Sequence, residues 1–447
     1  MRIVAALLLF AVSMAAVHAA EPVTEFQLDN GLKVLVREDH RAPVVVSMVW
    51  YRVGSSYEHD GITGISHVLE HMMFKGTENL EPGEFSEIVA ANGGSENAFT
   101  SRDYTAYFQQ IAADRLEIVM ELEADRMRNL RLLPEEFGKE REVVKEERRL
   151  RTEDKPTGLF YERFNAVAFL TSPYRNPVIG WMDDLDALTL EDLEQWYERW
   201  YAPNNATLVI VGDVEPEEVE RLARKHFGPL QPSEIFPPKP RREIRQQGVH
   251  RLEMSLPAKS PVLMMGYKVP VFGTAEEPWE PYALEVLASI LDGGESARLA
   301  QRLVRGSEVA TSAGAGYSLY QRLDGLFLFD GIPANGRTIE ELESAIRAEI
   351  DQLKESLVED KELARIKAQV IADKVFDRDS TMSMAIQTGM LESIGLEWTL
   401  MNEYLRAIEA VSPEQVRAVA RKYLVDDRLT IGVLRPEQDE LVAGTNQ

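Results

Sequence analysis

The sequence predicts an α+β protein made of two copies of one domain. Three observations carry this expectation. The chain repeats itself at an offset of 223: Leu188-Thr189-Leu190-Glu191-Asp192-Leu193 matches Val411-Ser412-Pro413-Glu414-Gln415-Val416, and Arg199-Trp200 matches Lys422-Tyr423. The same offset pairs the apolar run at 206–211 with that at 429–434, so a helix capped by Thr or Ser and then a short strand closes each copy. Between the copies, residues 231–248 (QPSEIFPPKPRREIRQQG) hold four prolines and a run of charge, the composition of a linker. Finally, a chain of 447 residues exceeds what one core serves. The expected partition is a leader at 1–19, a first domain at 20–232, the linker at 233–248 and a second domain at 249–447.

In chain order, the start MRIVAALLLFAVSMAAVHAA has one basic residue, Arg2, then an apolar run and the small-residue site Val17-His18-Ala19. This is the pattern of a secretory signal peptide cleaved near Ala19, and it implies a periplasmic or secreted protein. The run is short for a membrane span, and no basic stop follows it. Residues 26–37 carry Asn30-Gly31 between two alternating runs, a hairpin signal. Residues 44–53, VVVSMVWYRV, suit a central strand. A helix is expected around 67, another over 84–92 ended by Gly93-Gly94, and strand formers fill 96–111. Helices are expected over 114–129, 134–151 and 190–200, and a strand over 206–211.

Composition narrows the function. The net charge of −25 argues against nucleic acid or an anionic membrane as partner, and leaves only a mild bias towards basic or neutral substrates. There is no cysteine, so any metal must be held by His, Asp or Glu.

His67-Val68-Leu69-Glu70-His71 supplies such ligands. Histidines four apart on a helix point the same way and can bind one zinc ion, with Glu70 beside them. The order H-x-x-E-H is the inverzincin signature. The bland alternative is a core helix with two satisfied histidines. Ile65, Val68, Leu69, Met72, Met73 and Phe74 weigh against it, because they bury the helix, and burying two histidines and a glutamate is costly unless something pairs them. A catalytic zinc usually takes three protein ligands. The acidic stretch 140–147 offers candidates, and Glu140, Val143, Val144, Glu147 and Leu150 fall on one helical stripe. Both Glu140 and Glu147 therefore lie on the apolar face, whereas Glu142 and Glu146 project elsewhere.

H-x-x-E-H followed by 75 residues and a glutamate resembles the pitrilysin family, with insulin-degrading enzyme and mitochondrial processing peptidase. The resemblance covers almost all of the mature chain and fits the short, two-domain bacterial members. It implies α/β-roll domains, mostly antiparallel sheet with helices packed on one face, the first binding zinc and the second without metal. It also implies a role for each residue: His67, His71 and Glu147 hold one Zn2+ per chain, Glu70 is the general base towards the metal's water, and Glu140 supports a ligand. Glu96-Asn97-Ala98-Phe99-Thr100-Ser101 is similar to the family's edge strand, where a substrate peptide adds as an extra strand, with Asn97 and Ala98 meeting its backbone. The expected activity is zinc-dependent endoproteolysis of peptides or unfolded segments. The alternative is a non-catalytic binding or assembly subunit, and such subunits usually lose the motif kept whole here.

One departure stands out. Active members use an arginine and a tyrosine seven residues apart in a late domain. The matching segment, 301–311, places Val304 and Thr311 there, with Arg305 and Tyr317 wrongly spaced. The expectation is that a homologous subunit, or a second copy of this chain, supplies the pair.

Overall fold

The computed structural model describes residues 23–437, so the expected leader lies outside the described residues. Six strands form the first sheet: β1 (Val23–Gln27), β2 (Lys33–Glu38), β3 (Val44–Tyr51), β4 (Ser95–Thr100), β5 (Thr105–Ala112) and β6 (Ala206–Gly212), in the order β1-β2-β6-β3-β5-β4. Five form the second: β7 (His250–Leu256), β8 (Val262–Val269), β9 (Ala310–Gly316), β10 (Gly325–Pro333) and β11 (Leu429–Pro436), in the order β7-β11-β8-β10-β9. Without β1 the two orders correspond strand for strand. The β2–β6 and β7–β11 pairs are parallel, and every other pair is antiparallel.

The internal repeat is structural as well as textual. Thr189 caps the helix Leu190–Trp200 through a capping box with Asp192, and Ser412 caps Pro413–Tyr423 through a capping box with Gln415. Each box satisfies two end N–H groups and fixes where its helix starts. The hairpin forms at Asn30-Gly31, where Gly31 takes the left-handed φ of 92°. The stretch 231–248 contains neither helix nor strand, yet it is fastened. Glu243 accepts the backbone N–H groups of Leu170, Thr171 and Ser172 at 2.8–2.9 Å and pairs with Lys268 at 3.1 Å.

Helices cover one face of each sheet, as expected, and the other face carries a helix from the opposite half. Phe160 and Phe164, on the helix Pro156–Ala168, pack onto Met264 and Leu434 of the second sheet. In return Met384 and Ala385, on Thr381–Ser393, pack onto Leu35, Met48, Trp50 and Val209 of the first. Each fully buried phenylalanine contributes about 1.5–3 kcal/mol. The close approach requires glycine. A Cβ at Gly432 would press on the Phe160 and Phe164 rings, and one at Gly389 would run into the Trp50 indole.

A polar clasp also joins the halves. Arg322, between β9 and β10, donates to Ser56 Oγ at 2.7 Å and to Asp103 Oδ1 at 3.3 Å, with its guanidinium 4.4 Å from the centre of the Tyr57 ring. The Tyr174 hydroxyl donates to the other Asp103 oxygen and accepts the Leu323 N–H at 3.1 Å. Asp103 belongs to the turn between β4 and β5, so the second half holds that turn in place.

Candidate metal centre and peptide cleft

The helix Ile65–Met72 begins at a buried carboxylate. Glu58 accepts the N–H groups of Gly64 (2.7 Å) and Ser66 (2.9 Å), which a helix start otherwise leaves open. Gly64 has φ 88°, and a Cβ there would strike Ile179 O and Gly180, so the entry to the helix demands glycine. Val68, Leu69 and Met72 then anchor the inner face of the helix, and His67, Glu70 and His71 turn towards the helix Pro134–Arg148 and the end of β4.

Three groups far apart in sequence converge there. Glu147 Oε2 lies 3.5 Å from His71 Nε2, and Glu147 Oε1 lies 3.9 Å from His67 Nε2. One ligand atom from each of the three residues falls within 4.8 Å of the others. Ligand atoms on a tetrahedral zinc with bonds of about 2.1 Å stand roughly 3.4 Å apart, close to the 3.5 and 3.9 Å seen here, so the donor set suits that ion. Glu140 Oε2 lies 3.1 Å from His71 Nδ1, and its Oε1 takes Lys75 at 2.8 Å. An acceptor at Nδ1 places the imidazole proton there and leaves the Nε2 lone pair facing Glu147. Burial, with His71 and Arg151 nearby, pushes His67 down to about 3, so it is neutral near pH 7, the form a metal requires. Burial raises Glu70, against the Thr100 hydroxyl that donates to its Oε2 at 2.5 Å.

The expected stripe on the second helix is corrected in part. Glu140 and Val144 are buried and the Glu147 side chain is 17% exposed, but Val143 (47%) and Leu150 (56%) face solvent. The inner face follows Phe137, Glu140, Val144 and Arg148, spaced near 3.6 residues, so the face drifts away from 143. The helix also ends at Arg148 rather than at 151, continuing as a wider turn over Arg149–Glu153. Glu142 and Glu146 pair outward with Lys145 and Arg149, as expected.

Asn97 and Ala98 lie on β4, the edge strand, which pairs only with β5 among the described residues and lines the cleft beside both histidines.

Comparison with known proteins follows the same lines. A family described as Insulinase (Peptidase family M16) matches residues 33–180, and one described as Peptidase M16 inactive domain matches 187–370. The zinc protease PqqE of Helicobacter pylori is 33% identical over 419 residues, covering 92% of each chain. The chain belongs to peptidase family M16. A zinc protease of Streptomyces coelicolor is 28% identical over 434 residues, covering 95% of this chain and 92% of its own. The solved structure of a protease from Helicobacter pylori superposes with a TM-score of 0.87, at 33% identity, over 93% of this chain and all of that one. The first half of the periplasmic protease PqqL from Escherichia coli shares the fold at a TM-score of 0.78 and 20% identity, over 93% of this chain and 92% of that chain.

The M16 inactive-domain match begins at the closing helix and strand of the first half and runs on into the half that lacks H-x-x-E-H. In the second half Val304 ends the short turn Ala300–Val304 and Thr311 lies on β9, so neither place holds an arginine or a tyrosine. Tyr317 is engaged at home: its hydroxyl donates to Pro270 O at 2.8 Å and its ring stacks on Phe327. Arg305 pairs with Glu295 at the surface. The sequence reading overlooked Glu58, Arg102 and Arg151. Thr100 belongs to the edge-strand segment 96–101, but no spacing in the sequence ties it to Glu70.

Proposed function

We propose that this M16 chain is a zinc-dependent endopeptidase for peptides or unfolded polypeptide segments, with one Zn2+ held by His67, His71 and Glu147. The observation that carries the reading is the convergence of those three ligand atoms with the Glu70 carboxyl one residue from His71. When bound, zinc would supply a Lewis acid that polarises the scissile carbonyl and makes water a nucleophile near pH 7.

The chain's own residues do the rest. The edge of β4, unpaired among the described residues, offers backbone N–H and C=O groups to an extended peptide, with Asn97 and Ala98 beside it, so recognition is largely of main chain. Glu70 Oε takes the proton of the attacking water and delivers it to the nitrogen of the leaving amine. Thr100 holds Glu70 in that position, and Glu140 holds the His71 ring. The absence of arginine and tyrosine at 304 and 311 supports a shared active chamber, in which a homologous subunit or a second copy supplies the pair. The leader at 1–19 supports a periplasmic or secreted setting.

The experiment is Glu70→Gln. Zinc content should stay at one per chain while cleavage of an unstructured peptide falls about 10²-fold or more. Unchanged turnover would overturn the mechanism. Assaying the chain alone and mixed with a relative that carries the arginine and tyrosine tests the partner. Full activity from a monomer in sedimentation would remove that part of the proposal.

A further inference from the structure

The cleft beside the two histidines encloses about 770 Å3. Three arginines from separate segments line it: Arg102 after β4, Arg151 in the turn after the Pro134–Arg148 helix, and Arg175 in the loop Pro173–Arg175. Most of the other charges on that wall are spoken for. Glu162 forks onto Arg148 at 2.6 and 3.1 Å, and Arg175 is paired by Asp60 at 2.9 Å. Arg151 is balanced by Glu147 at 2.5 Å, a pairing that a zinc ion held by Glu147 would weaken. Arg102 makes no ion pair among the described residues. It donates to the neutral Asn165 side chain at 3.3 Å and lies 5.0 Å from the centre of the Tyr174 ring, which fixes the guanidinium while leaving further N–H groups uncommitted. The first turn of the Pro156–Ala168 helix also opens on the cleft at Gly158, adding the partial positive charge of a helix start.

The chain as a whole carries −25, yet the cleft lining sets three guanidinium groups against three carboxylates, and two of those carboxylates, Glu147 and Glu162, are already held by Arg151 and Arg148, which leaves Arg102 without a carboxylate partner. The geometry points to a substrate preference: peptides with an aspartate or glutamate side chain close to the bond that is cut, its carboxylate received by Arg102 with Arg151 as second contact. The inference rests on the peptidase reading and deepens it. A planar guanidinium presents paired donors that match a carboxylate, and a held one loses little entropy on binding. A lysine at the same substrate position meets like charge, so the wall discriminates by repulsion as well as attraction. The overall charge favours basic peptides at long range, but that field is screened beyond about 8–10 Å, and contact within the cleft decides.

The test measures binding separately from cleavage. Zinc-loaded Glu70→Gln protein is titrated into three fluorescent, unstructured peptides that differ at one position, Glu, Gln or Lys, scanned along the sequence. At some position the Glu peptide should bind about tenfold tighter than the Gln peptide, as expected for hydrogen bonds to a charged group, and the Lys peptide weaker still. The difference should shrink in salt. Adding Arg102→Gln should remove most of it while leaving the affinity for the Gln peptide nearly unchanged. Arg151→Gln, at a side chain 71% exposed where folding is not at stake, should remove part of it. Equal affinities at every position, or a preference that survives both substitutions, overturns the proposal. Cleavage of the same peptides by the unsubstituted chain reports on the peptidase reading alone. A Glu preference in binding without any cleavage keeps the acidic-side-chain site and removes the peptidase.

Discussion

The clearest perturbation of the metal centre is a graded series on one helix. Glu147 lies 3.5 and 3.9 Å from the two imidazole Nε2 atoms, and Glu140 lies 3.1 Å from His71 Nδ1. Glu146 points away, pairing with Arg149 at 2.9 Å, with its side chain 58% exposed. Three substitutions to glutamine, similar in shape, therefore remove the proposed ligand, the proposed support and a bystander. Loss of a group that orients a ligand typically costs 10–100-fold in metal affinity, and loss of a ligand costs at least that much. Zinc affinity, measured by competition with a chromophoric chelator, should therefore fall by about 10²-fold or more for Glu147→Gln, by about 10–100-fold for Glu140→Gln, and negligibly for Glu146→Gln. Reversal of the first two would mean that Glu140 is the ligand and Glu147 the support. Equal losses in all three would mean that the helix responds as a whole and that the assignment by geometry is wrong.

Two further expectations concern stability. Burial pushes the Glu58 carboxyl from 4.5 up to about 7, against the opposing Ser66 and Gly64 N–H donors. The folded state then holds a proton that the unfolded chain has released. The contribution of Glu58 is full below pH 4.5 and is lost as pH rises through about 7, a difference on the order of 3 kcal/mol. Urea melts across that range should show Glu58→Gln flattening this part of the curve, and an unchanged slope would count against a buried, titrating Glu58. Gly389→Ala should lower the melting temperature, because the new methyl meets the Trp50 indole, and overpacking of this kind costs about 1–3 kcal/mol. A melting temperature equal to that of the unsubstituted chain would show that the Thr381–Ser393 helix is not seated on the first sheet.

Much of the fold was legible because short-range chemistry specifies it. Asn30-Gly31 sets a hairpin by local dihedrals, and Thr189 and Ser412 start their helices by reaching three residues ahead. The repeat then transferred the closing helix and strand of one half onto the other. The two histidines and Glu70 were legible for the same reason, since five consecutive residues on a helix fix their own relative geometry. Glu140 and Glu147 were found by periodicity, but their companions Val143 and Leu150 were misplaced. A stripe read at i+3 and i+4 is about 100° wide and does not say which edge of it meets the core. The exchanged helices were not legible. Nothing in Phe160 and Phe164 names the second sheet as their partner, and Gly266 and Gly432 gain meaning only once that helix lies on them. Net charge is silent in a similar way, because a sum over 447 residues carries no information about one wall of one cleft.

The half without H-x-x-E-H nevertheless enters the chemistry through packing. Arg322 fixes Asp103, Asp103 fixes the turn that joins β4 to β5, and the strand leading into that turn ends at Thr100, whose hydroxyl holds Glu70. Arg102, in the same turn, is placed by the same clasp. The Thr381–Ser393 helix meanwhile seals the outer face of the sheet to which β4 belongs, covering Trp50, Met48 and Val209. A first half standing alone would expose that apolar face and release the turn, even though every candidate zinc ligand is its own. Duplication has therefore produced a division of labour. One copy carries the candidate metal-binding side chains, and the other supplies the packing that keeps the edge strand and Glu70 aligned.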